Sequence, residues 1–543
     1  MVFARRSTTL LAAIIASCAM VLSLTACTSD NKTVVDGQTT VTSNSAGGVA
    51  VFTPSDGITL NQQVPLNKWA KLVPDLTKAL ADAGFKKGDI DHTTSDSLAK
   101  QSRAIQDFVV DHLSNNTTDD SGIAIAPDNM TLLVAPVVEA DASTRQYGDY
   151  ISQNLSTNDA TDGEATSDGE SSEDDSSKDD SSNTESDSTA SDEQAQAVDR
   201  LVSSLKLAKE SGMHVVLLGN SIEGYKPDAF VKFSDAQTIG KLQAEKMVSK
   251  LKLDKASKDN PKYIEVLLPY TAVDEKGNAN DSTFAQEAFR GIWQVLGSYY
   301  QKGVVESPSG TLDGKSTEND WQAVAYDAAK EGSTAKVLDK RLAKTDGQST
   351  LTRIDGIITM NDYIASEVVK ELDDLGYTGS AADINPQITI SGIVGNITGK
   401  KDLSRDAVPD PIKSPENDNA NDSSSSDDDA DEDTSASDKD RDSQWPLVTG
   451  YGAYVSNIPS IVNGKQWMTG MEDRQTIATD IAQACAKLNK DEALNSMPSI
   501  RNSEVGGVKK IPTISEPLLA VSASNLKSAL IDPGYISLAD AGL

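Results

Sequence analysis

The chain has 543 residues, 38% of them hydrophobic, which is long for one domain and sufficient for two separate cores. It carries 82 acidic residues against 49 lysines and arginines, a net charge of −33 and a pI near 4.4. Phosphate binding needs a basic surface, so this composition excludes nucleic acid as an expected partner.

The N-terminal segment has the pattern of a bacterial lipoprotein signal. Arg5 and Arg6 precede an apolar run over residues 10–24, and Leu-Thr-Ala-Cys follows at 24–27. We therefore predict a signal peptide and lipobox over residues 1–27, with Cys27 as the lipidated, palmitate-bearing residue. This lipid anchor places the protein on the extracytoplasmic face of the bacterial cell membrane. A plain secretory signal cleaved nearby is the alternative.

A polar segment at residues 28–47 follows, which we interpret as a flexible tether. From there to residue 230 the chain alternates between strand and helix patterns, as expected of an α/β lobe. The predicted elements are a strand at 48–53, a helix with its apolar face from Trp69 to Ala83, a second helix near 98–109, a strand at 131–138, a helix begun by a capping box of Ser191 and Gln194, and a strand at 214–218.

Two polar, acidic tracts interrupt this alternation. Residues 158–193 hold fourteen acidic side chains and residues 416–442 hold twelve, so the remaining chain is only mildly acidic. Between residues 156 and 197 no side chain is more apolar than alanine, and such a segment cannot bury enough surface to fold. We predict disordered insertions at about 156–191 and about 400–443.

The central stretch of the chain is residues 231–244, where a strand changes into a helix near Asp235. The alternation then resumes, which predicts a second, mostly parallel sheet with right-handed crossovers. The elements predicted beyond it are strands at 263–268, 355–360 and 387–392, helices at 284–300, 319–331 and 364–375, a strand at 446–450, and a helix at 476–488.

The central stretch resembles the hinge of type I periplasmic sugar-binding proteins, the xylose-binding branch in particular. That family reads roughly S-F-D-x-x-x-x-G-x-L-Q-A here, and Asp235, Gly240, Leu242, Gln243 and Ala244 match it. The resemblance implies the type I periplasmic binding protein fold, with two Rossmann-like parallel-sheet lobes joined by a three-strand hinge. It places the N-terminal lobe at 48–230, the C-terminal lobe at 231–468, a helix returning to the first lobe at 469–500, and a closing crossover with the C-terminal segment at 501–543.

The resemblance also implies which side chains face the ligand, because ligands bind at the carboxyl ends of parallel strands. The family's Arg-Trp corresponds to Lys68-Trp69, its Asp-Arg to Gly219-Asn220, its hinge Asp-Asn to Asp235-Ala236, and its Gly-Gln-Asp to Gly450-Tyr451-Gly452. The family's Asn-Asp is retained as Asn361-Asp362. The candidate ligand-binding residues are Lys68, Trp69, Asn220, Asp235, Trp321, Asn361, Asp362 and Tyr451.

Several of these candidates have structural alternatives. Asp235 caps the helix that follows it as readily as it contacts a ligand, and the two roles are compatible. Trp69 lies on the apolar face of its helix, where packing is favoured over stacking on a sugar. Trp321 fits a core position as well as a ring over the ligand. Tyr451 offers a ring or a hydroxyl in place of the missing polar residue.

Catalysis has little support in the sequence, and we expect neither an enzyme nor a cofactor. His92, His112 and His214 form no H-E-x-x-H motif, and there is no nucleophile elbow. Cys18 leaves with the signal peptide, so Cys27 and Cys485 cannot form a zinc cluster or a disulfide framework. No metal site is expected.

The resemblance implies a binding protein that delivers a small polar solute, a saccharide, to an ABC permease in the membrane. Its expected mechanism is hinge closure, in which the solute bridges both lobes and shifts the population toward the closed state. The alternative is a transport-inactive surface lipoprotein that uses the same scaffold as a sensor or interaction module. The altered residues at 219–220 and 450–452 favour this alternative.

Overall fold

A computed structural model describes most of the chain outside the two acidic tracts. The described residues are 32–35, 38–41, 46–56, 65–115, 125–138, 144, 146–157, 185–273, 280–328, 330–343, 350–382 and 444–543. Residues 1–45 and 46–543 form two separate units. In the first unit, strands β1 (Lys32–Val35) and β2 (Gln38–Val41) form an antiparallel hairpin with Lys32 opposite Val41.

Lobe 1 is built on a seven-stranded sheet. Its strands are β3 (Gly48–Pro54), β4 (Ile90–Ser95), β5 (Met130–Val134), β7 (His214–Leu218), β9 (Ala229–Val231), β17 (Ile500–Val505) and β18 (Val508–Ile514). Their order is β17-β18-β9-β7-β5-β3-β4, and every pair is parallel except β17 with β18.

Helices cover both faces of this sheet, because successive side chains of a strand point to opposite faces. Val49 and Val51 face α1 (Trp69–Asp82) and α10 (Arg474–Leu488), whereas the side chains between and beyond them face α2 (Leu98–Asn115) and α3 (Glu185–Glu210). The near-continuous apolar sequence of these strands thus supplies two cores, one on each face of the sheet.

Lobe 2 is built on a four-stranded parallel sheet of order β12-β10-β14-β15. These strands are β10 (Lys262–Val266), β12 (Val305–Glu306), β14 (Gly356–Ile358) and β15 (Leu447–Thr449). Helices α4 (Ala236–Lys250) and α5 (Thr283–Gln301) pack on one face, and α7 (Ser333–Arg341) and α8 (Asp362–Leu375) on the other.

Shorter elements complete both lobes. Strands β6 (Asn154–Leu155) and β8 (Ser221–Ile222) pair in parallel, as do β11 (Leu268–Pro269) and β13 (Ala325–Tyr326). Helices α6 (Trp321–Val324) and α9 (Ile458–Val462) each have a single turn or little more. Strands β16 (Met468–Met471) and β19 (Leu519–Ser522) form an antiparallel pair beside lobe 2.

The chain crosses between the lobes three times. It passes from β9 to α4 through residues 232–235, from β16 to α10 through residues 472–473, and from β18 to β19 through residues 515–518. The predicted fold class of two parallel-sheet α/β lobes is therefore confirmed, and the three crossings form its hinge.

Some predicted elements differ from the structure. Helix α3 begins at Glu185 rather than at the Ser191 capping box, which corrects the end of the first insertion, because no glycine or proline stops the helix upstream of Ser191. The helix predicted at 319–331 ends at Val324, since Ala325 and Tyr326 pair with β11 instead. The predicted strand at 387–392, most of the first insertion and all of the second lie outside the described residues.

Two glycines let helices α4 and α5 pack closely. A Cβ atom on Gly240 would lie 2.2 Å from the carbonyl oxygen of Ala288, and one on Gly291 would lie 2.0 Å from that of Gln237. Each glycine therefore contacts the backbone of the opposite helix. Because Gly240 is also part of the hinge motif, this contact fixes the helix that follows the first crossing.

We expect Gly291→Ala to lower the free energy of unfolding by about 1–3 kcal/mol, because the added methyl group forces the two helices apart. Urea or thermal unfolding followed by circular dichroism measures the change. Lys246→Ala, on the exposed face of α4, is the matched control and should be near neutral. Equal stability of the two variants would show that the close approach is unimportant.

Candidate functional site

Asn361 lies where lobe 2 faces lobe 1. It follows β14, is fully buried and caps helix α8, its Oδ1 accepting a hydrogen bond from the Ile364 amide at 2.9 Å. Its Nδ2 donates to Oε1 of Gln146, a lobe 1 residue, at 3.1 Å. The side-chain oxygen thus caps the helix, while the amide nitrogen bonds to lobe 1 across the interface between the lobes.

Asp362 instead points into lobe 2. Its carboxylate accepts hydrogen bonds from Gln466 Nε2 at 2.7 Å, from Thr469 Oγ1 at 2.9 Å and from the Tyr454 amide at 2.9 Å. Burial raises the pKa of Asp362 to about 6, although these hydrogen bonds oppose the shift. A Cβ on Gly450 would lie 2.1 Å from its Oδ1, so Asp362 fixes the backbone of residues 450–454.

Tyr451 lies at the hinge, where two of the crossings meet. Its hydroxyl is 2.5 Å from Ser234 Oγ on the first crossing, and it also donates to Glu472 Oε1 on the second at 3.4 Å. Ser234 donates to the same carboxylate through both its amide, at 2.6 Å, and its hydroxyl. The three side chains join the two crossings through hydrogen bonds that are buried from solvent.

Glu472 is the residue that sequence reasoning missed. It is fully buried, and burial raises its pKa to about 7, while its hydrogen bonds with Ser234 and Tyr451 act in the opposite direction. The sequence signal that could have identified Glu472 is its position as an acidic residue directly between a buried strand and a helix. That signal does not reveal the Ser234 partner, which is 238 residues away in the sequence.

Lys68 and Trp69 belong to lobe 1 and contact Asp149 and Tyr150. Lys68 Nζ forms an ion pair with Asp149 Oδ1 at 2.8 Å, and the Trp69 amide donates to Asp149 Oδ2 at 3.1 Å. The Trp69 ring packs edge-on against Tyr150 and Phe233, with centroids 5.1 and 5.7 Å apart. Of the two alternatives for Trp69, the structure shows packing.

The remaining candidates have local partners. Asn220 Nδ2 donates to the Pro136 carbonyl at 2.9 Å, and its Oδ1 accepts from the Gln153 amide at 3.0 Å. Asp235 caps α4 through the Thr238 amide at 2.7 Å. The Trp321 ring packs edge-on against Tyr270 in lobe 2.

The residues at the hinge and at the interface between the lobes are Lys68, Trp69, Asp235, Asn361 and Tyr451. Asp362 lies inside lobe 2, where it hydrogen-bonds to the residues beside Tyr451. Cys27 lies outside the described residues. Among the described residues, no helix has the length and apolarity needed to cross a membrane, and no group of three or more His, Cys, Asp or Glu side chains could hold a metal ion.

Comparison with known proteins gave matches among solved structures only; no family model and no curated protein matches the chain. An ABC transporter solute-binding protein from Clostridium phytofermentans with bound β-D-glucose is 17% identical, with a TM-score of 0.44, covering 91% of this chain and 99% of its own. A carbohydrate transporter solute-binding protein from Chloroflexus aurantiacus in complex with D-glucose is 18% identical, with a TM-score of 0.43 and coverages of 92% and 98%.

A periplasmic ribose ABC transporter protein from Conexibacter woesei is 13% identical, with a TM-score of 0.42, covering 90% of this chain and 96% of its own. The solved structures to which this chain is similar thus include sugar-binding proteins of ABC transporters. The two-lobe fold of this chain is defined by its own strand order and its three crossings between the lobes.

We expect the free energy of unfolding to fall as pH rises through the titration range of Glu472. Between its ordinary pKa of 4.5 and its folded value of about 7, the folded protein binds a proton that the unfolded chain has released. The resulting stabilisation is complete below pH 4.5 and is lost as pH rises through about 7.

Urea unfolding of Glu472→Gln at pH 5, 6, 7 and 8 tests this. The variant keeps an acceptor for Ser234 but cannot titrate, so its stability should depend less steeply on pH than that of the wild type. Glu245→Gln, an exposed position on α4, should retain the wild-type profile. A parallel profile for Glu472→Gln and the wild type would contradict the expectation.

Proposed function

We propose that this chain is a lipid-anchored extracytoplasmic solute-binding protein that delivers a small polar solute, a saccharide, to an ABC permease. One observation carries the proposal: Asn361, at the carboxyl end of a lobe 2 strand, directs its amide nitrogen to Gln146 of lobe 1, at the interface of two lobes joined by three crossings. Groups at this position in open α/β sheets contact ligands. A solute held there bridges both lobes and favours the closed state.

The side chains at the interface between the lobes offer groups that suit a saccharide. Asn361 offers an amide donor, Lys68 an ammonium group and Tyr454 a phenol hydroxyl, and all three can bond to sugar hydroxyl groups. Rings of Phe284 and Tyr451 lie on the lobe 2 side and can cover the apolar C–H face of a sugar ring. In this proposal, Trp69 and Asp362 position these groups rather than contact the solute.

A second candidate function is that of a transport-inactive surface lipoprotein acting as a sensor or interaction module. It is favoured by the hydrogen bonds that candidate residues make within the protein. Asn361 bonds to Gln146, and Asn220 bonds to the backbone at Pro136 and Gln153. Solute binding separates the two functions, because only the first requires it.

A screen of monosaccharides, oligosaccharides and nucleosides at millimolar concentration should raise the melting temperature for at least one sugar, since a ligand at 100 times its Kd stabilises by about 2.7 kcal/mol. Asn361→Asp keeps the Oδ1 helix cap and removes the amide donor. We expect it to abolish the shift while the ligand-free protein stays folded. Asn154→Asp, an exposed position, is the control. A screen without any shift would favour the second function.

Lipid anchoring has its own test. When the full chain is expressed in a bacterium fed an alkyne analogue of palmitate, we expect Cys27→Ala to lose the label and to leave the membrane fraction. Cys18→Ala changes a residue of the apolar run and should keep the label. Labelling of Cys27→Ala at the wild-type level would refute anchoring at this residue.

A further inference from the structure

Residues 146–155 follow β5 and are attached to lobe 1. The Asp149 amide donates to the Asn67 carbonyl at 2.8 Å, and the Asp149 carboxylate pairs with Lys68. The Tyr150 hydroxyl donates to the Lys68 carbonyl at 2.5 Å, and its ring stacks on Phe233 with centroids 4.7 Å apart. This base of the segment is therefore fixed beside the first crossing.

The tip of the same segment lies against lobe 2. Gln146 Oε1 accepts the hydrogen bond from Asn361, and the Gln146 carbonyl accepts one from the Tyr454 hydroxyl at 2.7 Å. The Tyr147 ring is buried in the core cluster of lobe 2, with its centroid 4.7 Å from that of Phe284 and 6.3 Å from that of Tyr451. One lobe 1 segment thus occupies the hydrogen-bond donors and the aromatic rings that lobe 2 presents at the interface between the lobes.

Gly148 makes the turn between base and tip. Its φ of +97° is unfavourable for other residues, and a Cβ atom there would lie 2.6 Å from the Asn67 carbonyl oxygen. The backbone turn at Gly148 and the side-chain contacts therefore both hold the segment against lobe 2. Such a turn gives Gln146 and Tyr147 a defined place against lobe 2.

We propose that Gln146 and Tyr147 are an internal occupant of the solute site, which a solute must displace in order to bind. The proposal rests on the function proposed above. The tip supplies two oxygen acceptors and a six-membered ring bearing a hydroxyl group. A solute that replaces it presents oxygen atoms to Asn361 and Tyr454 and a ring face to Phe284, which is the chemistry of a pyranose or pyranoside.

Occupancy by the tip lowers the apparent affinity for such a solute, because only molecules with the tip displaced can bind. The Gln146 side chain is held by one hydrogen bond of ordinary strength, from Asn361, while its backbone carbonyl accepts the bond from Tyr454. Removing the side chain alone should therefore strengthen solute binding by about two- to tenfold. The site is then both the place where a sugar binds and the place where the chain controls access to it.

The test uses the full chain carrying Gln146→Ala and Tyr147→Ala, with Gln146→Ala alone as the milder variant if the double variant folds poorly. Hydrogen–deuterium exchange measures opening without any solute. The Leu66 amide, which donates to the Gly452 carbonyl at 2.9 Å, should exchange faster in the variant, while amides of the lobe 1 sheet stay protected. Calorimetric titration with the monosaccharides of the screen measures affinity.

Gln301→Ala, at an exposed position on α5, changes the same residue type as Gln146→Ala and should match the wild type. Unchanged exchange at Leu66 in the Gln146/Tyr147 variant would overturn the proposal, as would equal affinity of variant and wild type for the same sugar. Local opening without sugar binding in either protein would support the internal occupant and refute the proposed transport function. Faster exchange throughout would show general destabilisation and also count against the proposal.

Discussion

The arrangement of the two lobes depends on a buried carboxyl group where two crossings meet. Glu472 on the second crossing accepts hydrogen bonds from the amide and hydroxyl of Ser234 on the first and from the hydroxyl of Tyr451 in lobe 2. Burying a carboxylate costs free energy unless hydrogen bonds satisfy it. Any movement that separates Glu472 from these hydrogen-bond donors is therefore unfavourable. These hydrogen bonds therefore hold the two crossings in a defined geometry.

The segment at residues 146–155 contacts the residues of the hinge. Tyr150, at the base of the inserted segment, stacks on Phe233, the residue before Ser234. Tyr147, at its tip, lies near Tyr451, whose hydroxyl contacts Ser234. The tip and the hinge are thus connected through a continuous set of packed aromatic rings.

Much of the fold was predictable from the sequence because its signals are local. The buried strands at 130–134 and 214–218, the helix that follows residue 235 and its cap at Asp235 all follow from apolar runs, periodicity and capping residues. The errors have two kinds of cause, one local and one tertiary. Helix α3 extends upstream of Ser191 because nothing in that sequence stops it, and residues 325–326 form a strand because β11 lies beside them.

The sequence by itself determined two parallel-sheet lobes, a crossing near residue 235 and polar residues after the strand at 356–358, since each of these depends on neighbouring residues. Only the tertiary structure decided which partners those polar residues have. Asn361 meets Gln146 across 215 residues of sequence, and Ser234 meets Glu472 across 238. Contacts between residues so far apart depend on how the whole chain packs, and periodicity and spacing carry no information about them.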